Sequence, residues 1–329
     1  MTAKKHRLLI TGATGKVGQA FLERVVSTGE LDRFELRAIT HNRDLPQSNI
    51  ETFKGTLSDR DFVRLAMQDV THVLHLATCK ETPEDVMDVA VKGMFWLLEE
   101  ARANPDFQQF ILIGGDAAIG HFFYPRDAKV TEQVPHSAYP GCYALSKVLE
   151  EVMLEQAQIQ YGFPGCCLRA PWIMEKDDFK FTLSFGEDVF GGPRWRDIVG
   201  TQKADQYQRE GTVPVLCDAA GEAITRNFVH VDDLVEAILI SLDNDRARGT
   251  FNICMDEPVD YRKVAEYLKV CKGLGSVDIL TPYHSTWLEN SKAKQTLGWQ
   301  PKVSLANLID SAFEFQRAPG EARVVWYPG

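Results

Sequence analysis

Short apolar runs alternate with helix-like patterns along about the first half of this chain. Runs suited to strands lie at residues 7–10, 35–39, 50–53, 72–76, 110–113 and 165–168. Between them, apolar side chains repeat at helical spacing over residues 17–25, 59–67, 83–103 and 143–161. Strands that alternate with helices in this way predict a parallel sheet covered by helices on both faces.

The pattern changes beyond residue 172. Periodicity is lost over residues 172–217, where Gly, Phe, Trp, Arg and Lys are frequent. The stretch indicates substrate-side loops and short helices or, alternatively, a lobe core with solvated charges. A strand at 227–231, a helix at 232–242 and a strand at 250–253 follow, and Asp260 and Ser304 are predicted N-caps of two later helices. Residues 324–328 are interpreted as a tail that docks by its aromatic side chains.

We therefore predict an α/β fold, a Rossmann doubly wound parallel sheet with a smaller α+β C-terminal substrate lobe. The length of 329 residues suits two such lobes. We expect the nucleotide-binding domain to comprise residues 1–172 plus 223–254. Residues 173–222 plus 255–329 would form the substrate-binding lobe.

Charge and cysteine content exclude several classes of function. A formal charge of -10 and a pI near 5.4 argue against nucleic acid or an anionic membrane surface as partner. The seven cysteines form no C-x-x-C motif, so neither a disulfide framework nor a metal site is expected. The apolar run at residues 8–10 is too short for a signal peptide, and a cytoplasmic protein fits best.

A glycine-rich turn follows the first predicted strand. Gly12 permits a tight turn, Gly15 lets backbone N–H groups approach a pyrophosphate, and Gly18 lets the next helix pack closely on the strand. The N-terminus of that helix favours anionic phosphates. Strand, glycine turn and helix in this order predict a dinucleotide site, with a purely structural turn as the alternative.

The second predicted strand ends before His41, Asn42 and Arg43, and no carboxylate follows until Asp44. A carboxylate here would bind the adenosine ribose hydroxyls, whereas an arginine suits a 2'-phosphate. We therefore favour NADP over NAD. In the alternative interpretation Arg43 is a solvated loop residue and the chain binds NAD through other contacts.

The carboxyl ends of the other strands should meet this turn, because ligands of such sheets bind at that edge. Residues 77–78, 114–116 and 169–171 occupy those strand ends and are predicted to line one crevice with Gly12. His72 and His75 lie within a strand and are predicted to be packed side chains rather than ligands.

An acid–base pair opens the helix predicted from residue 143. Tyr143 and Lys147 are four residues apart and therefore share one helix face. We predict that the opposite, apolar stripe is buried against the body of the protein and that the pair faces outward. That stripe comprises Leu145, Val148, Leu149, Val152 and Met153.

The order of these elements resembles the extended short-chain dehydrogenase/reductase superfamily, of the NAD-dependent epimerase/dehydratase type. The resemblance covers nearly the whole chain. Its markers are Thr11 to Gly18, His75-Leu76-Ala77, Tyr143 to Lys147, Leu168 to Pro171, Arg226 to Asp233, Phe251-Asn252-Ile253 and Ser291 to Trp299.

The resemblance implies a hydride transfer between C4 of a nicotinamide and a carbon that bears a hydroxyl or carbonyl group. Tyr143 would take or donate the proton, and Lys147 would favour its phenolate and hold the nicotinamide ribose. The implied catalytic set is Tyr143, Lys147, Gly115 and Asp116. The implied cofactor contacts are Gly12, Thr14, Gly15, Lys16, Val17, Gly18, His41, Asn42, Arg43, Thr56, Leu57, Leu76, Ala77, Thr78, Tyr143, Lys147, Pro171 and Ile173. The implied substrate contacts are Thr78, Asp116, His121, Arg194 and Arg226. A homodimer, paired through the 83–103 and Tyr143 helices, is also implied.

The chain departs from the family pattern at several positions. Gly115 stands where a Ser or Thr usually bonds the reacting oxygen, a loss of about 1.5 to 3 kcal/mol unless Asp116, a backbone N–H or the substrate replaces that bond. Thr56 replaces an adenine-contacting Asp, and Ala90 replaces a helix Asn.

The substrate side also departs from the family pattern. Residues 274–280 replace an arginine-rich stretch that meets a diphosphate, although Arg226 is retained. A free sugar, sugar acid or related polyol is therefore comparably well suited as substrate. Residues 114–125 also resemble free-sugar and uronate dehydrogenases.

Three functions follow from the residues and the resemblance. The first is an NAD(P)-dependent oxidoreductase that acts on a secondary alcohol or ketone of a carbohydrate-like substrate. The second is a sugar-nucleotide epimerase or dehydratase that recycles its cofactor. The third is a dinucleotide-binding protein whose active site has decayed, as Gly115 and Ala90 would suggest.

Overall fold

The computed structural model of the chain describes residues 6–79, 81–321 and 323–324. Its strands are β1 (His6–Thr11), β2 (Phe34–Thr40), β3 (Glu51–Lys54), β4 (His72–His75), β5 (Gln109–Gly115), β6 (Gly165–Ala170), β7 (Trp172–Met174), β8 (Val213–Cys217), β9 (Thr225–Arg226), β10 (Phe228–His230), β11 (Gly249–Asn252), β12 (Val259–Asp260) and β13 (Ser276–Leu280).

Seven of these strands form one parallel sheet in the order β11-β6-β5-β4-β1-β2-β3. The strand order reverses beside β1, as in doubly wound sheets, and this places the predicted crevice at the carboxyl ends of β1 and β4. At that edge Thr11 of β1 pairs with Ile39 on one side and His75 on the other. The predicted fold class is confirmed.

Helices cover both faces of the sheet. They are α1 (Lys16–Thr28), α2 (Arg60–Ala66), α3 (Pro83–Asp85), α4 (Met94–Ala103), α5 (Cys142–Tyr161), α6 (Asp178–Thr182), α7 (Trp195–Val199), α8 (Thr201–Glu210), α9 (Val231–Leu242), α10 (Tyr261–Lys272), α11 (Ser291–Leu297) and α12 (Leu305–Glu314). A π-helix (Val86–Gly93) joins α3 to α4, and a 3₁₀ turn (Asp116–Ile119) follows β5. Within the described ranges, no helix is long and apolar enough to traverse a bilayer.

Two cores sandwich the sheet. On one face the side chains of α1 and α9 pack together, with Phe21 and Leu234 among those fully buried. On the other face, residues of α2, α4 and α5 pack around Phe110 and Leu97. Both layers leave the carboxyl ends of the strands uncovered.

A third core lies on the carboxyl side of the sheet and is built from later residues. It packs around Trp195, Tyr261, Phe185 and Phe228, and includes the parallel pair β8 and β13. The apolar residues of 172–217 are thus largely core residues, as in the second of our two interpretations. Asp260 caps α10 and Ser304 caps α12, as predicted.

Several short elements were not predicted from the sequence, and β8 and β13 are the longest strands among them. Both β8 and β13 lack a clear strand signal: the first is uniformly buried and the second alternates over only five residues. They pair with each other across about sixty residues, so only the tertiary contact defines them. The predicted aromatic tail falls almost entirely on residues 325–329, outside the described residues.

Helix α5 buries a different face from the predicted one. Leu145 is 48 % exposed and the rest of the apolar stripe is only half-buried. The buried side chains are Ala144, Ser146, Lys147, Glu150, Glu151 and Leu154. The prediction of an outward-facing Tyr–Lys pair was therefore wrong. Charged groups can be buried here because they find partners: Glu151 Oε2 lies 2.6 Å from Arg169 Nη2.

Candidate active site

The carboxyl ends of the central strands open into a single cleft of about 950 Å³. It extends from the end of β2, past the glycine turn and α5, to the third core. The cleft brings together every residue of the predicted catalytic, cofactor and substrate sets, from Gly12 through Arg43 and Tyr143 to Arg226. Their shared location follows from the sheet topology, because the carboxyl ends of the parallel strands meet at one edge.

The glycine turn has three differently constrained glycines. Gly12 has φ +66°, and a Cβ there would come within 2.6 Å of the backbone N of Ala77. A Cβ on Gly18 would lie 2.6 Å from the backbone of Ala13. Close packing of β1, β4 and α1 therefore excludes side chains at both positions.

Gly15 differs because it stands at the start of α1. A Cβ there would be 3.2 Å from Gly12 O, and no side chain of the described residues caps this helix end. The first N–H groups of α1 are thus left to face the cleft, which suits a phosphate. Gly15 and the α1 N-terminus together fit the pyrophosphate of a dinucleotide.

Lys16 is engaged with the third core. Its Nζ donates to Asp178 Oδ2 at 2.5 Å and to Ile173 O at 3.0 Å, and it lies 4.2 Å from the centroid of the Phe190 ring. Burial lowers the pKa of Lys16, and Asp178 opposes this change. The ammonium therefore links the glycine turn to α6. Nothing in the linear sequence pointed to Asp178.

The cleft reaches solvent at the end of β2. His41, Asn42 and Arg43 line it and are exposed. The first carboxylate after the strand, Asp44, forms an ion pair with Lys54 at 2.8 Å. Asp44 is thus paired with Lys54, and this carboxylate is engaged rather than directed at the adenosine ribose.

Tyr143 and Lys147 stand at the start of α5 on the floor of the cleft. Lys147 is 5 % exposed, and its Nζ lies 5.8 Å from the centroid of the half-buried Tyr143 ring. The same Nζ donates to Glu150 Oε2 at 2.8 Å and lies 3.5 Å from Ile113 O. The backbone N–H of Tyr143 donates to Glu81 Oε1 at 3.1 Å, which fixes the helix start.

Burial raises the pKa of Tyr143 above its ordinary value. Lys147 opposes this rise, whereas Glu150, Asp116 and Cys79 add to it. The pKa of Lys147 is also raised: Glu150 and Tyr143 outweigh the opposing effect of burial. The ammonium thus persists at neutral pH, beside a tyrosine that keeps its proton.

Gly115 leaves open space beside Lys147. A Cβ at this position would meet nothing closer than Ala170 O at 3.8 Å and Lys147 Cδ at 3.9 Å. Its φ of -148° is ordinary extended backbone. A serine would therefore fit, so packing does not require the glycine.

Asp116 begins a buried chain of polar side chains. Its Oδ2 is hydrogen-bonded to His121 Nδ1, and His121 Nε2 lies 2.7 Å from Arg226 Nη2. Because a guanidinium only donates, Nε2 accepts and Nδ1–H donates to Asp116. Burial lowers the pKa of His121, which agrees with this neutral form.

Arg226 closes the chain inside the third core. It is 1 % exposed; its Nη1 donates to Gly191 O at 2.6 Å and to Tyr261 OH at 3.1 Å, and it lies over Phe122. The sequence identified three members separately but gave no signal for Tyr261 or for the chain they form. By contrast, the side chain of Arg194 is 64 % exposed at the cleft mouth.

Aromatic rings form a wall of the cleft that the sequence did not reveal. The wall comprises Phe122, Phe123, Tyr139 and Tyr283. Phe123 stacks on Tyr139 with centroids 4.8 Å apart, and Phe122 lies 4.2 Å from Tyr283. Such a wall suits the apolar face of a ring-shaped ligand.

The packed strand histidines behave as expected. His72 and His75 are buried, and burial lowers their pKa values to about 4 and about 3. His75 Nδ1 is hydrogen-bonded to Thr11 Oγ1 at 2.8 Å. Both imidazoles are therefore neutral in the folded protein.

A family model described as "NAD dependent epimerase/dehydratase family" matches residues 8–174, just over half of the chain. The chain belongs to the NAD-dependent epimerase/dehydratase family. It is thus an enzyme of the extended short-chain dehydrogenase/reductase type.

Relatives of this epimerase/dehydratase family member differ in their named activities. A UDP-glucose 4-epimerase of Mycolicibacterium smegmatis is 26 % identical over 94 % of this chain and 98 % of its own. Vestitone reductase of Medicago sativa is 22 % identical over 96 % of this chain and 94 % of its own. A short-chain dehydrogenase/reductase superfamily protein from Agrobacterium tumefaciens, solved with bound NAD, has a TM-score of 0.79 at 22 % identity and covers 93 % of this chain and 96 % of its own.

Proposed function

We propose that this family member is an NAD(P)-dependent oxidoreductase that transfers hydride to or from a secondary alcohol or ketone of a carbohydrate-like substrate. One observation carries the proposal: Tyr143 and Lys147 lie on the floor of the cleft that also contains the glycine turn. In this reading residues 1–172 plus 223–254 hold the cofactor, and the remaining residues form the substrate lobe.

The glycine turn fits a dinucleotide because Gly15 and the bare N-terminus of α1 leave room and donors for its phosphates. When bound, the nicotinamide supplies the carbon that gives or accepts the hydride. Tyr143 exchanges a proton with the substrate oxygen, and Lys147 stabilises the phenolate that forms. Leu76, Ala77, Pro171 and Ile173 would enclose the cofactor between strand ends.

Asp116 follows the position where the family usually has a Ser or Thr, and it binds a hydroxyl beside the reacting carbon rather than the reacting oxygen itself. Its carboxylate accepts a hydrogen bond from His121, which orients it, and its remaining lone pairs can accept from a substrate hydroxyl. The open space at Gly115 admits that hydroxyl next to Lys147. A polyol, with hydroxyls on neighbouring carbons, matches this arrangement.

The occupied state of Arg226 supports a substrate without a diphosphate. Its two amino groups already bond to Gly191, Tyr261 and His121. Turning it toward a phosphate would break three buried hydrogen bonds. The aromatic wall instead suits a sugar ring, with Thr78 and Arg194 at the mouth for its polar substituents.

The adenosine end supports NADP. Arg43 lines the cleft where a 2'-phosphate would lie, and the nearest following carboxylate, Asp44, is paired with Lys54. His41, Asn42 and Thr56 complete this end. Replacing Arg43 should therefore alter the choice between the two dinucleotides.

A homodimer is part of the proposal. The outward stripe of α5 and the neighbouring α4 expose Leu145, Ile159 and Phe95, which are 48 %, 68 % and 45 % exposed. These helices contact each other, and we expect their exposed apolar groups to contribute to one dimer interface. Sedimentation of a monomer at micromolar concentration would remove this assignment.

The second candidate is a sugar-nucleotide epimerase, which the activity named for the Mycolicibacterium smegmatis relative favours. Net absorbance of reduced nicotinamide separates the two candidates. We expect one cofactor reduced or oxidised per substrate converted, across a panel of free sugars, sugar acids and their keto forms. Conversion of a sugar nucleotide with no net change in the cofactor would instead establish the epimerase.

A further inference from the structure

The buried face of α5 carries a carboxylate with no role in the reaction outlined above. Glu150 lies one turn after Lys147, is 0 % exposed, and its Oε2 accepts from Lys147 Nζ at 2.8 Å. Among the described residues its other oxygen, Oε1, has no hydrogen-bond partner. Burial raises the pKa of Glu150, and the adjacent ammonium opposes that rise.

This pairing changes the charge that Tyr143 experiences. An isolated ammonium beside a phenol favours the phenolate, but an ammonium paired with a carboxylate at 2.8 Å has little net charge. Asp116 adds a second carboxylate from the turn after β5. The charged groups that act most strongly on Tyr143 are thus one cation, Lys147, and two anions, Glu150 and Asp116.

The other titratable groups near the catalytic tyrosine do not restore a positive balance. Burial raises the pKa of Cys79, after β4, to about 11, and lowers that of His75, within β4, to about 3. Burial also raises the pKa of Cys167 on β6. Glu151, on the same buried face of α5, is paired with Arg169, and Glu81, which accepts from the Tyr143 backbone N–H, is one more nearby carboxylate. Cys79, His75 and Cys167 are neutral and the Glu151–Arg169 pair has no net charge, so the charge near Tyr143 stays negative overall.

We propose that Glu150 is a positioning residue that holds the Lys147 ammonium and keeps Tyr143 in its protonated, proton-donating form near neutral pH. The inference rests on the proposed function and names the half-reaction for which the resting enzyme already has the reactive protonation state, which is reduction of a carbonyl group. The carbonyl carbon accepts a hydride, with both electrons, from a reduced nicotinamide that is thereby oxidised. The carbonyl oxygen takes the Tyr143 proton, and water then reprotonates the phenolate.

The two directions should therefore respond differently to pH. Reduction needs the protonated tyrosine, so its rate is flat through neutral pH. Oxidation needs the phenolate, so its rate rises about tenfold per pH unit until the tyrosine has titrated. Replacing Glu150 by Gln removes one anion but keeps the shape of the side chain and its acceptor oxygen.

The direct test is a titration of Tyr143 by NMR in protein labelled at the tyrosine Cζ carbon, with the resonance assigned by its loss in Tyr143→Phe. No substrate or cofactor is needed. In the wild type we expect Tyr143 to stay protonated through pH 9, and in Glu150→Gln to titrate at lower pH. Titration of wild-type Tyr143 below pH 8, or an unchanged titration in a folded Glu150→Gln, overturns the proposal. The wild-type arm remains decisive even if the variant fails to fold.

Glu151→Gln is the matched control, because it removes an equally buried carboxylate from the same helix. It should lower the thermal stability and leave the Tyr143 titration in place. In kinetics at pH 8, Glu150→Gln should oxidise the alcohol roughly tenfold faster than the wild type, since a neighbouring charge commonly changes the ionised fraction by that much. If no hydride transfer is found but Tyr143 titrates at lower pH in Glu150→Gln, the proposed function is rejected. The effect of Glu150 on Tyr143 then still stands.

Discussion

The two sides of the cleft are constructed in different ways. The cofactor side is backbone and small residues, with Gly12 and Gly18 packed so closely that a Cβ would approach neighbouring backbone to 2.6 Å. The substrate side is a chain of buried charged and polar side chains, in which Asp116 and His121 of one segment meet Arg226 from about a hundred residues later. Tyr143 stands where the two sides meet.

This difference predicts which substitutions disrupt each side of the cleft. The cofactor side is sensitive to added atoms, because its shape depends on the absence of side chains. The substrate side is sensitive to removed charges, because each buried group depends on a partner for its hydrogen bonds. Substitutions of the two kinds should therefore have separable effects on cofactor binding and on substrate binding.

The largest effect is expected where the sides meet. Tyr143→Phe removes the hydroxyl that exchanges the proton and should lower kcat by about 10² to 10⁴-fold. Calorimetry should show cofactor affinity within about threefold of wild type, as the ring remains. Tyr161→Phe, at the exposed end of the same helix, is the control and should keep full activity. Retained turnover in Tyr143→Phe would show that Tyr143 is not the acid–base group of the reaction.

Arg226→Met should break the substrate side. It leaves His121 Nε2, Tyr261 OH and Gly191 O without their donor, and should lower the free energy of unfolding by about 3 kcal/mol. Chemical denaturation measures the loss. Dinucleotide affinity of the folded fraction should be unchanged, and a parallel loss of that affinity would contradict the separation of the two sides.

Gly18→Ala should damage the cofactor side. The added Cβ would meet Ala13 backbone at 2.6 Å, so β1 and α1 must separate, at a cost of about 1 to 3 kcal/mol. Weaker dinucleotide binding and a lower unfolding midpoint should appear together. Gly275→Ala, whose Cβ would meet only Thr212 Oγ1 at 3.7 Å, is the control and should change neither.

Arg43→Ala tests the chemistry of the adenosine end. Loss of the guanidinium should reduce the ratio of NADP to NAD affinity about tenfold, since a charge-assisted bond to a phosphate contributes about 1.5 kcal/mol or more. Fluorescence titration with both dinucleotides gives the ratio. An unchanged ratio would mean that Arg43 does not contact the 2'-phosphate.

Gly115→Ser should have the smallest effect. The serine Cβ would have ordinary contacts of 3.8 Å or more, so the free energy of unfolding should change by less than about 0.5 kcal/mol. A loss above about 2 kcal/mol would show that packing, rather than the substrate, requires the glycine.

The cofactor side could be read from the sequence because a strand, a glycine turn and a helix are continuous in the chain. The parallel sheet followed from the alternation of strands and helices, whereas the order of its strands came from the structure. Asp178, Tyr261 and the aromatic wall could not be predicted, because their partners lie tens to more than a hundred residues away. Helix α5 was assigned the wrong buried face for the same reason: hydrophobic periodicity cannot detect the partners of Glu150 and Glu151.

The central claim, hydride transfer at Tyr143 with net turnover of the cofactor, is tested most directly by following a labelled hydride. Reduced cofactor carrying deuterium at C4 would be incubated with keto-sugars and keto-sugar acids, with Tyr143→Phe in parallel. The account predicts one deuterium on the new carbinol carbon of each product, one oxidised cofactor released, and almost no product from Tyr143→Phe. A sugar-nucleotide product formed without deuterium and without oxidised cofactor in solution would contradict it.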